Sequence, residues 1–338
     1  MWTEEKLNQL LTSPSDALVE DMKKIGGDIM VLGAGGKMGP TLCLLAKNAA
    51  VQAGKNQKIY AVSRFSDRES RKLLQKGGVT TIAANLQNLE ELRALPEIKN
   101  IIFMAGKKFG TDGAECQTWG MNSVLPVFVA ERFKASRIVA FSTGNIYPIV
   151  PLSTGGCTER DRPGPVGEYA MSCLARERTF EYYSERNNTP VFLFRLNFSI
   201  ALRYGVLCDI AQKILSETPI SVATPCFNCI WQGTANEIAI RALLHAVSPA
   251  VKMNVTGPET ASVREVANRL GALLGKKPVF EGAEGTDAYL NNAMDCMETF
   301  GYPSVPLGTM IRWQAEWIRD GGKILGKPTH FEERKGSY

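Results

Sequence analysis

Short apolar runs rich in β-branched residues alternate with amphipathic stretches along residues 28–197. The segment "DIMVLGAGGKMGPTLCLLAKNAA" (28–50) reads as strand, glycine turn and helix; further strands are expected at 59–65, 79–85, 100–106, 137–143 and 191–197. Helical stretches separate them at 68–76, 88–95, 120–134 and 169–186. Strands that are continuously apolar have both faces covered, and strand–helix alternation then predicts a parallel sheet. Right-handed crossovers make it doubly wound, so the expected class is α/β with a Rossmann-type sheet.

Beyond residue 198 the alternation weakens. Segments 206–218, 234–247, 262–275 and 309–322 carry helical periodicity, while "KMNVTG" and "KPVFEG" read as short strands. The expected organisation is an N-terminal helical extension over 1–27, a dinucleotide-binding domain over 28–198, and a smaller, mostly helical substrate lobe over 199–338 with room for strands returning to the sheet.

The composition is that of an ordinary globular chain: 338 residues, 44% hydrophobic and 22% charged. The net charge of +5 comes from interleaved residues, so nothing marks a nucleic-acid or membrane patch. A mildly positive chain suits anionic small molecules, or is simply a solvated surface. No stretch reaches the ~18–20 apolar residues of a membrane helix. The charged N-terminus lacks the layout of a signal peptide, and the cytoplasm is the expected location. Eight cysteines, at 43, 116, 157, 173, 208, 226, 229 and 296, are expected as reduced thiols. Cys226 and Cys229 have a metal-like spacing, but no second Cys or His pair follows; with His245 and His330 the only histidines, no metal is expected.

The candidate chemistry begins in "VLGAGGKMG", where Gly33, Gly36 and Gly39 stand three apart between a strand and a helix. One glycine allows the tight turn, one lets backbone approach a pyrophosphate, and one lets helix pack on strand. The loop residues Gly33, Gly36, Lys37, Met38 and Gly39 are therefore candidate cofactor-binding residues, with the helix N-terminus supplying N–H donors and partial positive charge. The second strand ends in "AVSRFSD". Ser63 and Arg64 stand where NAD sites usually carry an acid; a guanidinium suits a 2′-phosphate, so charge favours NADP(H) over NAD(H). Lys37 adds to that charge, while Asp67 stands near enough to serve as the ribose acid instead.

At these residues the chain resembles the extended short-chain dehydrogenase/reductase superfamily, in its NAD(P)-dependent sugar epimerase and dehydratase branch. "GAGGKMG" matches the branch's G-x-x-G-x-x-G, and "AANLQNLEEL" is similar to its segment after the third strand, which implies that Asn85 and Leu86 approach adenine. "MAG" resembles the small-residue turn after strand four and implies that Met104, Ala105 and Gly106 lie beside the dinucleotide. "MNSVLP" resembles the asparagine-bearing helix through Asn122, and "NVTGPETASVREVANRLGALLGK" the closing segment of the lobe. "AFSTGNIYP" is similar to the serine-rich strand-five motif and implies Thr143 as the catalytic Ser/Thr. The resemblance covers nearly the whole chain after residue 27.

The resemblance implies a tyrosine that moves a proton on a substrate oxygen, a Ser or Thr that holds that oxygen, and a lysine that binds the nicotinamide ribose and lowers the tyrosine pKa. Tyr169 takes the first role, beside the cofactor, and Thr143 the second. The lysine is absent: Y-x-x-x-K reads Tyr169-Ala-Met-Ser-Cys173. An ordinary tyrosine is about one part in a thousand phenolate at neutral pH, so another cation must help. Lys107 and Lys108 follow strand four, and Lys108 is the preferred substitute. Arg176, seven residues past Tyr169 on one helical face, and the oxidised nicotinamide ring itself are the others. Cys173 is either a thiolate, which would raise the tyrosine pKa, or a small apolar filler.

The expected function is an NAD(P)-dependent oxidoreductase or epimerase acting at a hydroxyl or keto carbon of a carbohydrate-like small molecule. The segment from Pro219 to Trp231 is short and has no arginine, unlike the diphosphate-binding loop of nucleotide-sugar members, so a polyol, sugar acid or keto-sugar is expected instead. Arg203 is either a contact for a carboxylate or phosphate or a surface residue, and Trp231 either lines the interface or fills the lobe core. Helices 121–134 and 166–184 resemble the family's four-helix dimer surface and imply a homodimer. The alternative is a catalytically degraded NADP(H)-binding redox sensor or scaffold.

Overall fold

Two short helices lead the chain in the computed structural model, which describes residues 1–337: Glu4–Thr12 (α1) and Asp16–Lys24 (α2). Pro14 separates them, and Ser15 starts the second by accepting the Leu18 N–H at 3.1 Å. They are not a loose appendage. Leu7 and Leu11 are buried in the core of the C-terminal lobe, and Trp2 meets Trp313 edge-on with centroids 5.6 Å apart. Each such side chain contributes ~1.5–3 kcal/mol by burial. The second helix packs on the first helix of the dinucleotide-binding unit, so the extension ties lobe to sheet.

Strands and helices then alternate, several of them shorter than their patterns predict: Ile29–Leu32 (β1), Gly39–Gln52 (α3), Ile59–Ser63 (β2), Arg68–Lys76 (α4), Thr80–Ala83 (β3), Leu89–Arg93 (α5) and Asn100–Phe103 (β4). The stretch predicted as one helix over 120–134 is Glu115–Trp119 (α6), a π-helical turn Gly120–Val124, and Leu125–Arg132 (α7). Arg137–Thr143 (β5), Gly167–Asn187 (α8) and Val191–Leu196 (β6) follow. The lobe contributes Val206–Leu215 (α9), Gln232–Arg241 (α10), Val263–Leu274 (α11), Met294–Phe300 (α12) and Leu307–Arg319 (α13). Between α10 and α11 the chain returns to the sheet as Val251–Val255 (β7), parallel to β6.

The seven strands run parallel in the order β7-β6-β5-β4-β1-β2-β3. Both faces of each central strand are dry. Ile29 and Val31 enter one core while Met30 and Leu32 enter the other; Val139 and Phe141 alternate in the same way with Ile138 and Ala140. The two-sided burial explains the continuous apolar runs. The order reverses between β1 and β4, so the loops after these strands splay apart and open a crevice at the carboxyl ends. A third core, under the lobe, holds Trp231 against Trp313 at 5.4 Å, so Trp231 fills the lobe rather than lining the interface.

Helix α8 is fastened to the sheet by a buried ion pair. Glu177 and Arg195 of β6 meet at 2.7 Å with both side chains 0% exposed. Arg195 also donates to the Tyr147 hydroxyl, which reaches Asn254 of β7 at 3.0 Å. This network ties α8 to β6 and β7.

Candidate active site

The glycine loop can be read one position at a time. Gly33 has φ +90°, and a Cβ there would lie 2.6 Å from the Ala105 backbone nitrogen. Gly39 opens α3, where a Cβ would lie 2.3 Å from the Ala34 carbonyl oxygen. Both glycines are therefore demanded by the protein's own packing. At Gly36 the nearest atom is the Gly33 carbonyl at 3.6 Å, ordinary contact, so nothing in the fold excludes a side chain there. A backbone kept bare toward open space, beside a helix whose Met38 N-cap supplies no side-chain acceptor, fits the approach of a phosphate.

A cavity of about 990 Å³ extends from this loop to α8 and the lobe. Gly33, Gly36, Lys37, Met38, Met104 and Gly106 line it, as do Thr143, Tyr169 and Lys108. Gly39, Ser63, Arg64, Asn85, Leu86 and Ala105 are not part of that wall. Leu86 and Ala105 are buried, and Ser63 packs beneath Gly35. Asn85 is exposed and accepts the Gln87 N–H at 3.2 Å, and Arg64 is exposed as well. The chain turns at Phe65, with φ +49°, and presents Ser66, Asp67, Glu69 and Ser70 to the cavity instead. The carboxylate of Asp67 caps α4 by accepting the Glu69 N–H at 3.0 Å.

Thr143 ends β5 and Tyr169 lies in the first turn of α8, and the two hydroxyls are hydrogen-bonded. Thr143 also reaches the Asn145 side-chain oxygen at 3.0 Å and accepts the Asn145 N–H at 3.2 Å. Burial raises the Tyr169 pKa well above its ordinary value; the neighbouring Cys173 raises it further, and the Thr143 bond and Arg176 oppose the rise. Burial likewise raises the Cys173 pKa, which keeps it a neutral thiol; its side chain is 0% exposed and packs among Ile146, Tyr147 and Cys157. Lys108 approaches from the loop after β4, with Nζ 5.6 Å from the Tyr169 ring centroid. Burial pushes its pKa down to about 8, and Cys173 and Asp209 partly offset this.

Asn122 connects these pieces from the π-helical turn. Its Oδ1 accepts the Lys107 N–H at 2.9 Å and Nη2 of Arg176 at 2.7 Å. Its Nδ2 donates to the Lys107 carbonyl at 2.9 Å and to Ser172 Oγ at 3.0 Å, so the amide's capacity is fully used. A π-turn re-aims one side chain inside a helix, and here it locks the lysine loop onto the tyrosine helix. Arg176 also donates to the Phe141 carbonyl at 2.8 Å and lines the cavity. A Cβ on Gly106 would lie 2.8 Å from its Nη2, which explains that glycine.

Two features of the site had no sequence signal. The tail after α13 has no periodicity, yet Leu325, Lys327 and Thr329 line the cavity. It is held by the Thr329 N–H and hydroxyl donating to Asp209 at 2.7 and 2.6 Å and by buried Phe331, and its Gly336 packs on Gly167 at the start of α8. Lys37 points to the lobe, with Nζ 3.3 Å from the Tyr204 ring centroid and 4.6 Å from that of Phe109. Burial, then repulsion from Lys108 and Lys327, pushes its pKa down to about 7. Arg203 lines the cavity as well, held there by Glu4 at 2.9 Å and Asn8 at 2.6 Å.

The family profile described as the NAD dependent epimerase/dehydratase family matches residues 29–205, more than half of the chain. The chain belongs to this family of NAD-dependent enzymes. Solved structures share the fold. A UDP-glucose 4-epimerase from Thermus thermophilus in complex with NAD is 20% identical, over 86% of this chain and 99% of that one, with a TM-score of 0.70. A UDP-glucuronic acid 4-epimerase from Bacillus cereus in complex with NAD is 17% identical over 88% and 100%, with a TM-score of 0.70. A dTDP-glucose 4,6-dehydratase from Bacillus anthracis in complex with NAD is 16% identical over 87% and 97%, with a TM-score of 0.72. Comparison with curated proteins returned no match. Among the described residues no helix is long and apolar enough to cross a membrane.

Proposed function

We propose that the protein is an NAD(H)-dependent oxidoreductase or epimerase that acts at a hydroxyl or keto carbon of a carbohydrate-like small molecule. The observation that carries this reading is the Tyr169–Thr143 hydroxyl pair with the Lys108 ammonium 5.6 Å from the tyrosine ring, in the cavity that opens on the glycine loop. The glycine loop and the α3 N-terminus would hold the pyrophosphate, and Met104 and Gly106 the nicotinamide end. When bound, the dinucleotide supplies a hydride acceptor or donor.

The chain's own residues supply the proton chemistry. Thr143 holds the substrate oxygen, and Tyr169 gives a proton to it or takes one from it. Tyr169 is a phenol at rest, the form that donates to a carbonyl. For abstraction, the Lys108 charge stabilises the phenolate, in place of the lysine that Cys173 displaces.

Asp67 and Glu69 on the cavity wall support NAD(H). A carboxylate accepts ribose hydroxyls and repels a 2′-phosphate, and the exposed Arg64 remains the argument for NADP(H). The arginine-free segment 219–231 supports a substrate other than a nucleotide sugar. Exposed Val124, Met171 and Tyr182 support a homodimer through 121–134 and 166–184.

The test is calorimetric titration with NAD+ and NADP+, followed by a sugar, polyol and sugar-acid screen for dinucleotide reduction. Turnover that falls at least about 10²-fold in Tyr169→Phe, with cofactor affinity kept, supports the enzyme. The raised Tyr169 pKa and the Cys173 substitution favour a second reading, a dinucleotide-binding sensor. Tight binding with no hydride exchange over the whole panel would decide for it.

A further inference from the structure

We propose that the lobe side of the cavity holds an anionic group of the substrate, a phosphate monoester or a carboxylate, between Lys37, Lys108 and Lys327. The proposal rests on the reading of the cavity as a substrate site and adds the class of substrate.

Three lysines reach one wall from three distant segments: the glycine loop, the loop after β4 and the C-terminal tail. Nζ of Lys37 and of Lys108 lie 4.6 and 5.6 Å from the same Phe109 ring centroid, and Lys37 also faces Tyr204. The tail presents Lys327 from between two fixed points, the Leu325 N–H on the Arg203 carbonyl at 2.9 Å and the Thr329 bonds to Asp209.

Lys37 and Lys108, set against aromatic rings in the cavity, repel each other in a medium that screens them weakly, and the exposed Lys327 adds to that repulsion. Asp209 offsets part of the charge on Lys37 and Lys108 while it accepts two hydrogen bonds from Thr329, and Glu332 pairs with Lys213. His330 lies tilted against Phe109, with ring centroids 5.9 Å apart, and adds no negative charge. Burial is the larger cause of the lowered Lys37 pKa, with repulsion from Lys108 and Lys327 next and Asp209 opposing. An anion placed among the three would relieve that repulsion and gain charge-assisted hydrogen bonds. The cofactor has its own provision in the backbone N–H groups and dipole of α3. Lys108 is shared between the cluster and Tyr169, which puts the anion within one small molecule's length of the reacting carbon.

The experiment is calorimetry on the full-length protein, with and without saturating NAD+, using inorganic phosphate, a hexose phosphate, a hexuronate and a neutral hexose. Lys327→Gln is the variant, because Lys327 is exposed and outside the proposed catalytic and cofactor sets. Lys335→Gln on the same tail is the charge control. The expected result is binding of one or more anions, weakened about tenfold by Lys327→Gln, unchanged by Lys335→Gln, and with NAD+ affinity unaltered. Preference for phosphate or for hexuronate tells the two sources apart. Equal binding of the neutral hexose, no anion binding in either state, or a Lys327→Gln loss that falls on NAD+ itself would overturn the proposal. Absence of NAD+ binding alone would instead overturn the reading under Proposed function, while anion binding to the unloaded protein, sensitive to Lys327→Gln, would leave this one standing.

Discussion

Arg176 of the tyrosine helix donates Nη2 to the side-chain oxygen of Asn122 at 2.7 Å, and the Asn122 amide in turn grips both backbone polar groups of Lys107. The residue before the proposed catalytic lysine is thereby clamped to the helix that carries Tyr169. Arg176→Met removes the bonds to Asn122 and to the Phe141 carbonyl and leaves buried acceptors unpaired. It should destabilise the protein by about 3 kcal/mol, read as a lowered urea midpoint at unchanged slope. Gly106→Ala should destabilise for the same reason, since its Cβ would meet the guanidinium at 2.8 Å.

The three loop glycines should separate cleanly. Gly36→Ala adds a methyl into ordinary contact, so its melting temperature should stay within about 2 °C of wild type while NAD+ affinity falls at least about tenfold. Gly39→Ala drives a methyl into the Ala34 carbonyl and should lose stability and binding together. Loss of melting temperature in Gly36→Ala would assign that glycine to packing.

Cofactor choice should follow the wall and not the strand end. Asp67→Ala is expected to weaken NAD+ about tenfold and to narrow its preference over NADP+. Arg64→Ala is expected to leave both affinities within about twofold. Titrations with both nucleotides at one salt concentration decide; a selective loss of NADP+ affinity in Arg64→Ala would reverse the assignment.

Lys108→Met should trade activity for stability. In the folded protein Lys108 gives up its proton at about 8, against an ordinary 10.5. The unfolded chain therefore holds more protons between those values, and the lysine's penalty on the native state is full below about pH 8 and vanishes above about 10.5. Lys108→Met should be more stable than wild type at pH 7 by on the order of 1–3 kcal/mol, with the advantage fading toward pH 10.5. Turnover in the same variant should drop at least about tenfold, because Tyr169 loses its nearby cation. The paired urea midpoints across pH, with the rates, check both halves.

Much of the fold was legible because the record of burial is local. Residues 137–143 and 68–76 form the strand and helix that their patterns predict, since a run apolar on both faces or a 3.6-residue stripe needs no distant information. The glycine spacing announced the loop, and the family resemblance pointed to Thr143 and Tyr169, whose hydroxyls are hydrogen-bonded in the structure. The single helix expected over 120–134 was less legible: the π-turn at Asn122 arises from that amide's bonds to Lys107 and Arg176, which lie outside the segment.

What the sequence by itself determined was the order of strands and helices, the bare backbone at the phosphate loop, and the absence of a lysine four residues after Tyr169. Tertiary structure alone decided which side chains face the cavity. The turn at Phe65 withdraws Arg64 and presents Asp67; Glu4 and Asn8 hold Arg203 at the cavity wall; and the tail bound to Asp209 delivers Lys327 beside Lys37. Periodicity encodes the burial of each segment against its neighbours. The meeting of charges from segments hundreds of residues apart is set by how those segments pack, and no local pattern records it.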